Sequence, residues 1–256
     1  MTNETAKPVI EVRALDKRFE QIHAVRGVSF NVSQGEVLGF LGPNGAGKST
    51  TMKMIAGFLE PTSGTVVVCG NDVLEEPIKV KQTIGYLPEG APLYAEMTVY
   101  RFLDFVADIR GLNGIDKQKR IDETIKIINI ESVVNQTIET LSKGFKRRVG
   151  IAQAIIHDPE VLILDEPTDG LDPNQKYEVR ALIKAMAKDK AIIISTHILE
   201  EVDAVCSRAI IIASGQILFD GTPAELHDKS ENRNLEEAFR LITTQHHSEK
   251  GAAGQA

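Results

Sequence analysis

Residues 42–50 read Gly-Pro-Asn-Gly-Ala-Gly-Lys-Ser-Thr: a glycine, four further residues, and then Gly-Lys-Ser. This is the pattern of a phosphate-binding loop, or P-loop. Glycines let the backbone curl tightly, so that successive N–H groups point inward at an anion. We predict that Lys48 places its charge on the β- and γ-phosphates and that the Ser49 hydroxyl binds Mg²⁺, which prefers oxygen ligands. All the loop residues are therefore candidate nucleotide contacts: Gly42, Pro43, Asn44, Gly45, Ala46, Gly47, Lys48, Ser49 and Thr50.

The residues on either side of the P-loop have the expected character. Residues 37–41 form a short apolar run, which predicts a buried strand. Residues 49–58 predict a helix, whose N-terminal dipole also favours phosphate. A chance glycine-rich turn would not require both flanking elements. The stretch therefore predicts a nucleoside triphosphate site, without indicating which triphosphate is bound or for what purpose.

Composition narrows the class of protein. The chain has 256 residues, of which 42% are hydrophobic and 25% charged, as in an ordinary globular protein able to bury a substantial core. Its formal net charge of -7 argues against a nucleic-acid partner, because such partners favour basic surfaces. No apolar run approaches the ~20 residues that span a bilayer, and residues 1–8 lack the apolar segment of a signal peptide. We expect a cytoplasmic chain whose membrane role, if any, needs a separate partner.

Hydrophobic periodicity predicts an α/β fold. Residues 9–15 and 28–32 alternate as half-exposed strands do, and residues 65–69 form a β-branched strand. Residues 161–164 and 191–194 are apolar throughout, which is typical of buried parallel strands.

Residues from about 91 to about 157 have helical spacing and no strand signals, so we predict a helical lobe inserted into one α/β domain that spans residues 9–245. Thr98 can cap the first helix of this lobe. We expect disordered tails at residues 1–8 and 246–256, because both are polar.

A second set of chemical residues follows the strand at 161–164, which ends in Asp165 and Glu166. Ligands of open α/β sheets bind at the carboxyl ends of strands. We predict that Asp165 holds Mg²⁺, through water, and that Glu166 acts as the general base for an attacking water. By themselves these could be solvated carboxylates at a strand end. Their combination with a P-loop favours the functional interpretation.

Two further residues remain open on physical grounds. His197 follows the strand at 191–194, so it is either a contact to the γ-phosphate or a hydrogen-bonded structural residue. Ser142 can cap the helix that follows it, and a helix N-terminus with nearby basic residues is either a second anion site or an ordinary cap beside a solvated basic patch.

Several motifs in order resemble the nucleotide-binding subunits of ATP-binding-cassette (ABC) transporters. Residues 141–145, Leu-Ser-Lys-Gly-Phe, resemble the family signature Leu-Ser-Gly-Gly-Gln, and residues 170–172 resemble the loop that crosses the dimer interface. His197 falls at the switch histidine, Phe19 at the aromatic that stacks on adenine, and residues 86–89 at the loop that senses the membrane partner. The resemblance covers residues 9–221.

The resemblance implies a P-loop NTPase (RecA-like) core with a mixed sheet, an N-terminal antiparallel β-subdomain and the inserted α-helical lobe. It implies ATP and Mg²⁺ as cofactors, with His197 on the γ-phosphate. It also implies a head-to-tail dimer, most simply a homodimer, in which Ser142, Gly144 and Asp172 reach the nucleotide of the other subunit. An integral-membrane permease would hold the assembly at the inner face of the cell membrane.

Two departures from the family pattern matter. Glu89 stands where glutamine is usual, and its carboxylate can still bind Mg²⁺ or water; Lys143 stands where glycine is usual. Both resemble a branch that serves drug, polysaccharide, copper-processing and gliding-motility exporters. We therefore predict an ATPase that powers an exporter. One alternative is a non-transport cassette ATPase acting on nucleic acid or the ribosome. The other is a P-loop kinase or a GTPase switch, and neither of these two explains Ser142 or His197.

Overall fold

The computed structural model describes residues 8–90 and 92–253, with side chains described as far as residue 244. The strands of this part of the chain form two sheets: β1 (Ile10–Phe19), β2 (Ile22–Val32), β3 (Val37–Leu41), β4 (Ser63–Val68), β5 (Asn71–Asp72), β6 (Ile84–Leu87), β7 (Val161–Asp165), β8 (Ala191–Thr196), β9 (Arg208–Ala213) and β10 (Gln216–Gly221). The helices are α1 (Lys48–Ile55), α2 (Pro77–Thr83), α3 (Val99–Ile109), α4 (Gly114–Ile128), α5 (Lys143–Ile155), α6 (Pro173–Met186), α7 (Leu199–Val205), α8 (Pro223–His227) and α9 (Leu235–Ala253).

The larger sheet has the strand order β10-β9-β3-β8-β7-β6. Its strands are parallel except β10, which forms an antiparallel hairpin with β9, so the predicted mixed sheet is confirmed. Strands β3, β7 and β8 are entirely buried, as the apolar runs predicted. Because β3, β8 and β7 are neighbours, the segments that follow them emerge together at one edge of the sheet. The register there pairs Leu41 with Thr196 and Asp165 with Ser195.

The smaller sheet is the predicted N-terminal antiparallel β-subdomain, in which β1 pairs with both β2 and β4. Strand β1 is longer than the alternation indicated, because the register shifts near Ala14, whose φ is 47°, and pairing then continues to Phe19. Such a bulge interrupts the period of two without ending a strand. Phe19 therefore lies at a strand end, paired with Ile22, rather than in a polar connection.

Helices α3, α4 and α5 form the inserted lobe between the paired strands β6 and β7. Within residues 92–157 the regular secondary structure of the described residues is helical, apart from an isolated β-bridge between Thr98 and Thr137. Thr98 caps α3 as predicted, accepting a hydrogen bond from the Arg101 N–H at 3.4 Å.

The last helix of the lobe also belongs to the core. A Cβ added at Gly85 of β6 would lie 2.1 Å from the Ala154 carbonyl oxygen of α5, so the helix packs directly on the sheet. One apolar cluster accordingly continues from Phe102 and Ile121 of the lobe to Leu162 and Ile194 of the sheet. Helix α5 thus packs on both the lobe and the sheet.

The C-terminal prediction needs a correction. Helix α9 runs to Ala253, so residues 246–253 are helical where their polar composition predicted a disordered tail. A helix already nucleated by packed residues such as Leu235 and Ala238 gains one hydrogen bond for each residue added, and polar side chains do not prevent this. Residues 1–7 and 254–256 lie outside the described part of the chain. No helix within the described residues has both the length and the apolar character needed to cross a membrane.

Candidate active site

The P-loop connects β3 to α1, as the flanking residues predicted. Gly45 and Gly47 have φ values of 78° and 104°, and a Cβ added at Gly47 would lie 2.5 Å from the Ala24 carbonyl oxygen. Glycine is therefore required at 47 both by the backbone conformation and by the space available. Lys48 begins α1 with only 6% of its surface exposed, and its Nζ donates to the carbonyl oxygens of Gly42 (2.8 Å) and Pro43 (3.4 Å). The loop thus holds its single ammonium group at a defined position.

Glu166 meets Lys48 and His197 at the same edge of the sheet. Its Oε1 lies 3.8 Å from Lys48 Nζ, and its Oε2 lies 2.9 Å from His197 Nδ1. Its backbone N–H donates to the Ser195 carbonyl oxygen at 2.8 Å, and its φ is 52°. The carboxylate is almost buried, whereas the imidazole is half-exposed. Lys48 and His197, which are both predicted to be catalytic, thus each contact the carboxylate of Glu166, the third such residue.

Asp165 is the last residue of β7, at the carboxyl edge of the sheet. It is 1% exposed, and neither carboxylate oxygen has a hydrogen-bond partner among the described residues. A buried carboxylate is costly unless it is paired or coordinates a metal. An all-oxygen Mg²⁺ ligand set of Asp165 with the Ser49 hydroxyl fits this orphaned group. The described residues contain no group of three His, Cys, Asp or Glu side chains placed to hold a metal ion, and Mg²⁺ usually keeps water and phosphate oxygens among its ligands.

Glu89 lies exposed just after β6, close enough to Asp165 for both carboxylates to act on Tyr86. Burial raises the pKa of the Tyr86 hydroxyl above its usual value, and Asp165 and then Glu89 raise it further. Glu89 and Asp165 thus both lie within electrostatic range of Tyr86, and the Mg²⁺ role of Glu89 stays a prediction.

Arg147 is a residue of this site that the sequence interpretation missed. It lies on α5, is 8% exposed, and has an Nη1 without a partner among the described residues. Burial lowers the pKa of its guanidinium, and a group of carboxylates opposes that change: Asp169, Glu166, Asp165 and Glu89. A signal existed, since position 147 shares a helix face with the buried Gly144 and Ile151, from which it is separated by three and four residues. A basic residue on a buried face needs an acidic neighbour.

The remaining predicted contacts lie at two helix N-termini. Ser142 caps α5 by accepting from the Phe145 N–H at 3.4 Å, and Asp172 caps α6 by accepting from the Gln175 N–H at 3.0 Å. Both capping residues are exposed. Gly144 is buried between them, because a Cβ there would lie 2.5 Å from the Gln175 side chain. No hydrogen bond or ion pair in the described part of the chain joins Ser142, Gly144 or Asp172 to the P-loop.

We call Lys48, Asp165, Glu166 and His197 the catalytic edge, and Ser142, Gly144 and Asp172 the signature end. Phe19 stands apart from both, 43% exposed, with Lys17 Nζ 5.0 Å from its ring centroid. Its ring is therefore accessible, as stacking on a base requires. The roles assigned to these residues stay predictions.

Comparison with known proteins agrees with this geometry. The family model described as "ABC transporter" matches residues 25–169. The ABC transporter ATP-binding protein NatA of Bacillus subtilis (strain 168) is 37% identical over 237 residues, covering 90% of this chain and 96% of NatA. The linearmycin resistance ATP-binding protein LnrL of the same organism is 36% identical over 219 residues, covering 85% of this chain and 70% of LnrL. The structure of cbiO1 from Clostridium perfringens, described as part of the ABC transporter complex cbiONQ, is 31% identical with a TM-score of 0.79, covering 92% of this chain and 98% of that one.

Proposed function

The chain belongs to the ABC transporter family of ATP-binding ATPases, and from this premise we propose that it hydrolyses ATP to drive a separate membrane-embedded exporter. The observation that carries the proposal is that Lys48 and His197 both contact the buried carboxylate of Glu166 at the carboxyl edge of the sheet. A role on nucleic acid has no comparable support, because the net charge is -7.

The residues of the catalytic edge divide the chemistry between them. Lys48 and the P-loop N–H groups stabilise negative charge on the phosphates. Glu166 accepts a proton from the attacking water while the water oxygen bonds to the γ-phosphorus. The bond from that phosphorus to the bridging oxygen breaks at the same time. His197, oriented by its contact to Glu166, donates to a γ-phosphate oxygen. Mg²⁺ neutralises phosphate charge when bound, and the residues that would hold it are Ser49, Asp165 and Glu89.

We propose that a second copy of the chain completes the site. Ser142 and Asp172 are exposed, and each caps the N-terminus of a helix whose dipole favours phosphate there. With Gly144 between them, the signature end would face the nucleotide held by the P-loop of the other copy. ATP would therefore close a head-to-tail dimer, Phe19 would stack on adenine, and hydrolysis would release the dimer.

An integral-membrane permease is the second proposed partner, and it would hold this chain at the cytoplasmic face of the cell membrane. Support comes from the relatives, since cbiO1 is named as part of a transporter complex and LnrL as a resistance protein. Resistance by transport fits export. The transported substrate would contact the permease, so its class is not encoded in the catalytic edge.

The variant Glu166→Gln tests this proposal. The amide cannot accept the proton, so we expect ATP turnover to fall by about 10³-fold while ATP binding persists and traps a dimer. Phosphate release and light scattering with ATP measure the two effects. Glu236→Gln, on the exposed face of α9, is the matched control and should behave as wild type. Turnover near the wild-type rate in Glu166→Gln would show that Glu166 is not the base.

A further inference from the structure

A second carboxylate, Glu201, is buried beside the catalytic edge. It lies on α7, four residues after His197, and is 1% exposed. Its Oε1 accepts a hydrogen bond from the hydroxyl of Thr168, which is itself 1% exposed. Thr168 lies in the loop after β7, two residues beyond Glu166. The hydrogen bond therefore joins the segment that carries Glu166 to the segment that carries His197.

Packing alone does not explain a carboxylate at this position. Glu201 shares the buried face of α7 with Val202 and Val205. Burial raises the pKa of its carboxyl, and the effect of the nearby Arg180 charge is in the opposite direction. Its Oε2 has no hydrogen-bond partner among the described residues. An apolar side chain of similar volume would avoid this desolvation cost.

The hydrogen bonds around Glu201 continue to both neighbouring segments. On one side, the Glu166 N–H donates to the Ser195 carbonyl oxygen at 2.8 Å. On the other, the Ile198 N–H donates to Thr196 Oγ1 at 3.0 Å, and the Glu201 N–H donates to the Ile198 carbonyl oxygen at 3.2 Å. The first of these two contacts spans His197. The position of His197 relative to Glu166 is thus set by a closed path of backbone contacts and two hydrogen bonds that involve side chains.

We propose that Glu201 is a positioning residue that, through Thr168, locks the loop bearing Glu166 to the segment bearing His197. The inference rests on the proposed function, in which these two residues act on ATP and water. In this proposal Glu201 itself contacts neither ATP nor the attacking water. Its effect is to hold Glu166 Oε2 and His197 Nδ1 at their separation of 2.9 Å. A misplacement of about 1 Å at a catalytic group can lower a rate on the order of 10²-fold.

Two pairs of variants separate this role from general stability. Thr168→Val keeps the shape and removes the donor, and Glu201→Leu removes the acceptor. We expect each to lower kcat about tenfold or more, while KM and the Kd for ATP change less than about twofold. The Kd should hold because, among the described residues, neither Thr168 nor Glu201 makes a hydrogen bond or ion pair with the P-loop. Thr168→Ser and Glu201→Gln keep a donor and an acceptor and should recover most of the lost kcat.

A buried threonine in the helical lobe provides the matched control. Thr124 on α4 is fully buried, and its hydroxyl has no partner among the described residues. Thr124→Val makes the same chemical change as Thr168→Val at a distance from the catalytic edge, and it should retain normal kcat. The double variant Thr168→Val/Glu201→Leu should be no slower than the worse single variant, because both remove the same hydrogen bond.

The possible results are distinct. Normal kcat in Glu201→Leu, strictly additive losses in the double variant, or an equal loss of ATP affinity would overturn the positioning role. Should Thr168→Val fail to fold, the comparison of Glu201→Leu with Glu201→Gln decides the question. Absent turnover in the wild type, or full turnover in Glu166→Gln, would instead reject the proposed function. That outcome is separate, because neither measurement involves Thr168 or Glu201.

Discussion

The catalytic edge and the signature end differ in what holds their side chains. Lys48 and Glu166 are buried and bonded to residues of several strands and loops. Ser142 and Asp172 are exposed, and the described hydrogen bonds of their side chains are caps within their own helices. A preorganised, desolvated group suits chemistry, whereas an exposed group on rigid helices suits contact with another molecule. The difference fits the proposed division into a catalytic half and a half that is presented to a second copy of the chain.

The largest expected effect comes from blocking the signature end. Ser142→Arg should lower ATP turnover by 10²-fold or more, since a long cationic side chain would obstruct the partner's nucleotide. ATP binding by the isolated chain should stay within about twofold of wild type, because no hydrogen bond or ion pair among the described residues joins Ser142 to the P-loop. Fluorescent-nucleotide titration and phosphate release measure the two effects. Ser142→Ala controls for the lost cap, and a loss of binding equal to the loss of turnover would contradict the division into two halves.

The next effect concerns the C-terminal end of α5, which anchors the signature end to the core. Burial, and then the Arg110 charge, lower the pKa of His157 to about 4. Because this folded-state pKa is below the unfolded value of about 6.5, the unfolded chain binds the proton first as pH falls. Stability should therefore drop by about 2 kcal/mol between pH 7 and pH 5.

Urea unfolding of wild type and His157→Gln over this pH range tests the anchor. The glutamine variant carries no titrating group at 157, so the wild-type loss should exceed that of the variant. Equal pH slopes in the two proteins would show that His157 is not the buried neutral group described by the structure.

A smaller effect is expected where α5 reaches the catalytic edge. Arg147→Gln removes a buried positive charge that opposes the carboxylates of Asp165, Glu166 and Glu89. We expect turnover to fall about tenfold and the Mg²⁺ requirement to rise, since like charges then face one another. Glu89→Gln in the same background should restore part of the loss, which a double-mutant cycle measures. The exposed Arg101→Gln is the matched control, and full additivity would separate Arg147 from Glu89.

The smallest effect separates the cap from the proposed partner contact. Asp172→Ala should destabilise the chain by about 1 kcal/mol, the usual cost of losing an N-cap. Asp172→Asn keeps a capping oxygen, so its Tm should stay near that of wild type. Lower turnover in Asp172→Asn at normal Tm would place the carboxylate at the partner's nucleotide. Normal turnover at normal Tm would assign Asp172 to capping alone.

The sequence could predict features that depend on a few consecutive residues. The P-loop, the caps at Thr98 and Ser142, and the buried strands follow from local dihedral preferences and hydrophobic periodicity. The sequence analysis did not predict the short helices α2 and α8. Each has a proline in its first turn, which is a helix start signal, but each helix is too short to show a helical apolar pattern. Strand β1 was predicted too short because its bulge interrupts the alternation.

The sequence by itself determined the P-loop, and it predicted that Lys48, Asp165 and Glu166 lie at the reacting end of a nucleotide site. Their backbone positions are set by the strands and loop that carry them, and strand order brings those strands together. Only the tertiary structure decided that Arg147 faces four carboxylates and that Thr168 is bonded to Glu201. Arg147 and these carboxylates are 18 or more positions apart in the sequence, and Thr168 and Glu201 are 33 positions apart. Burial strengthens the electrostatic interactions of such charged side chains. A pattern of neighbouring residues encodes the local geometry of a site. It does not encode which distant side chains pack around that site and exclude water from it.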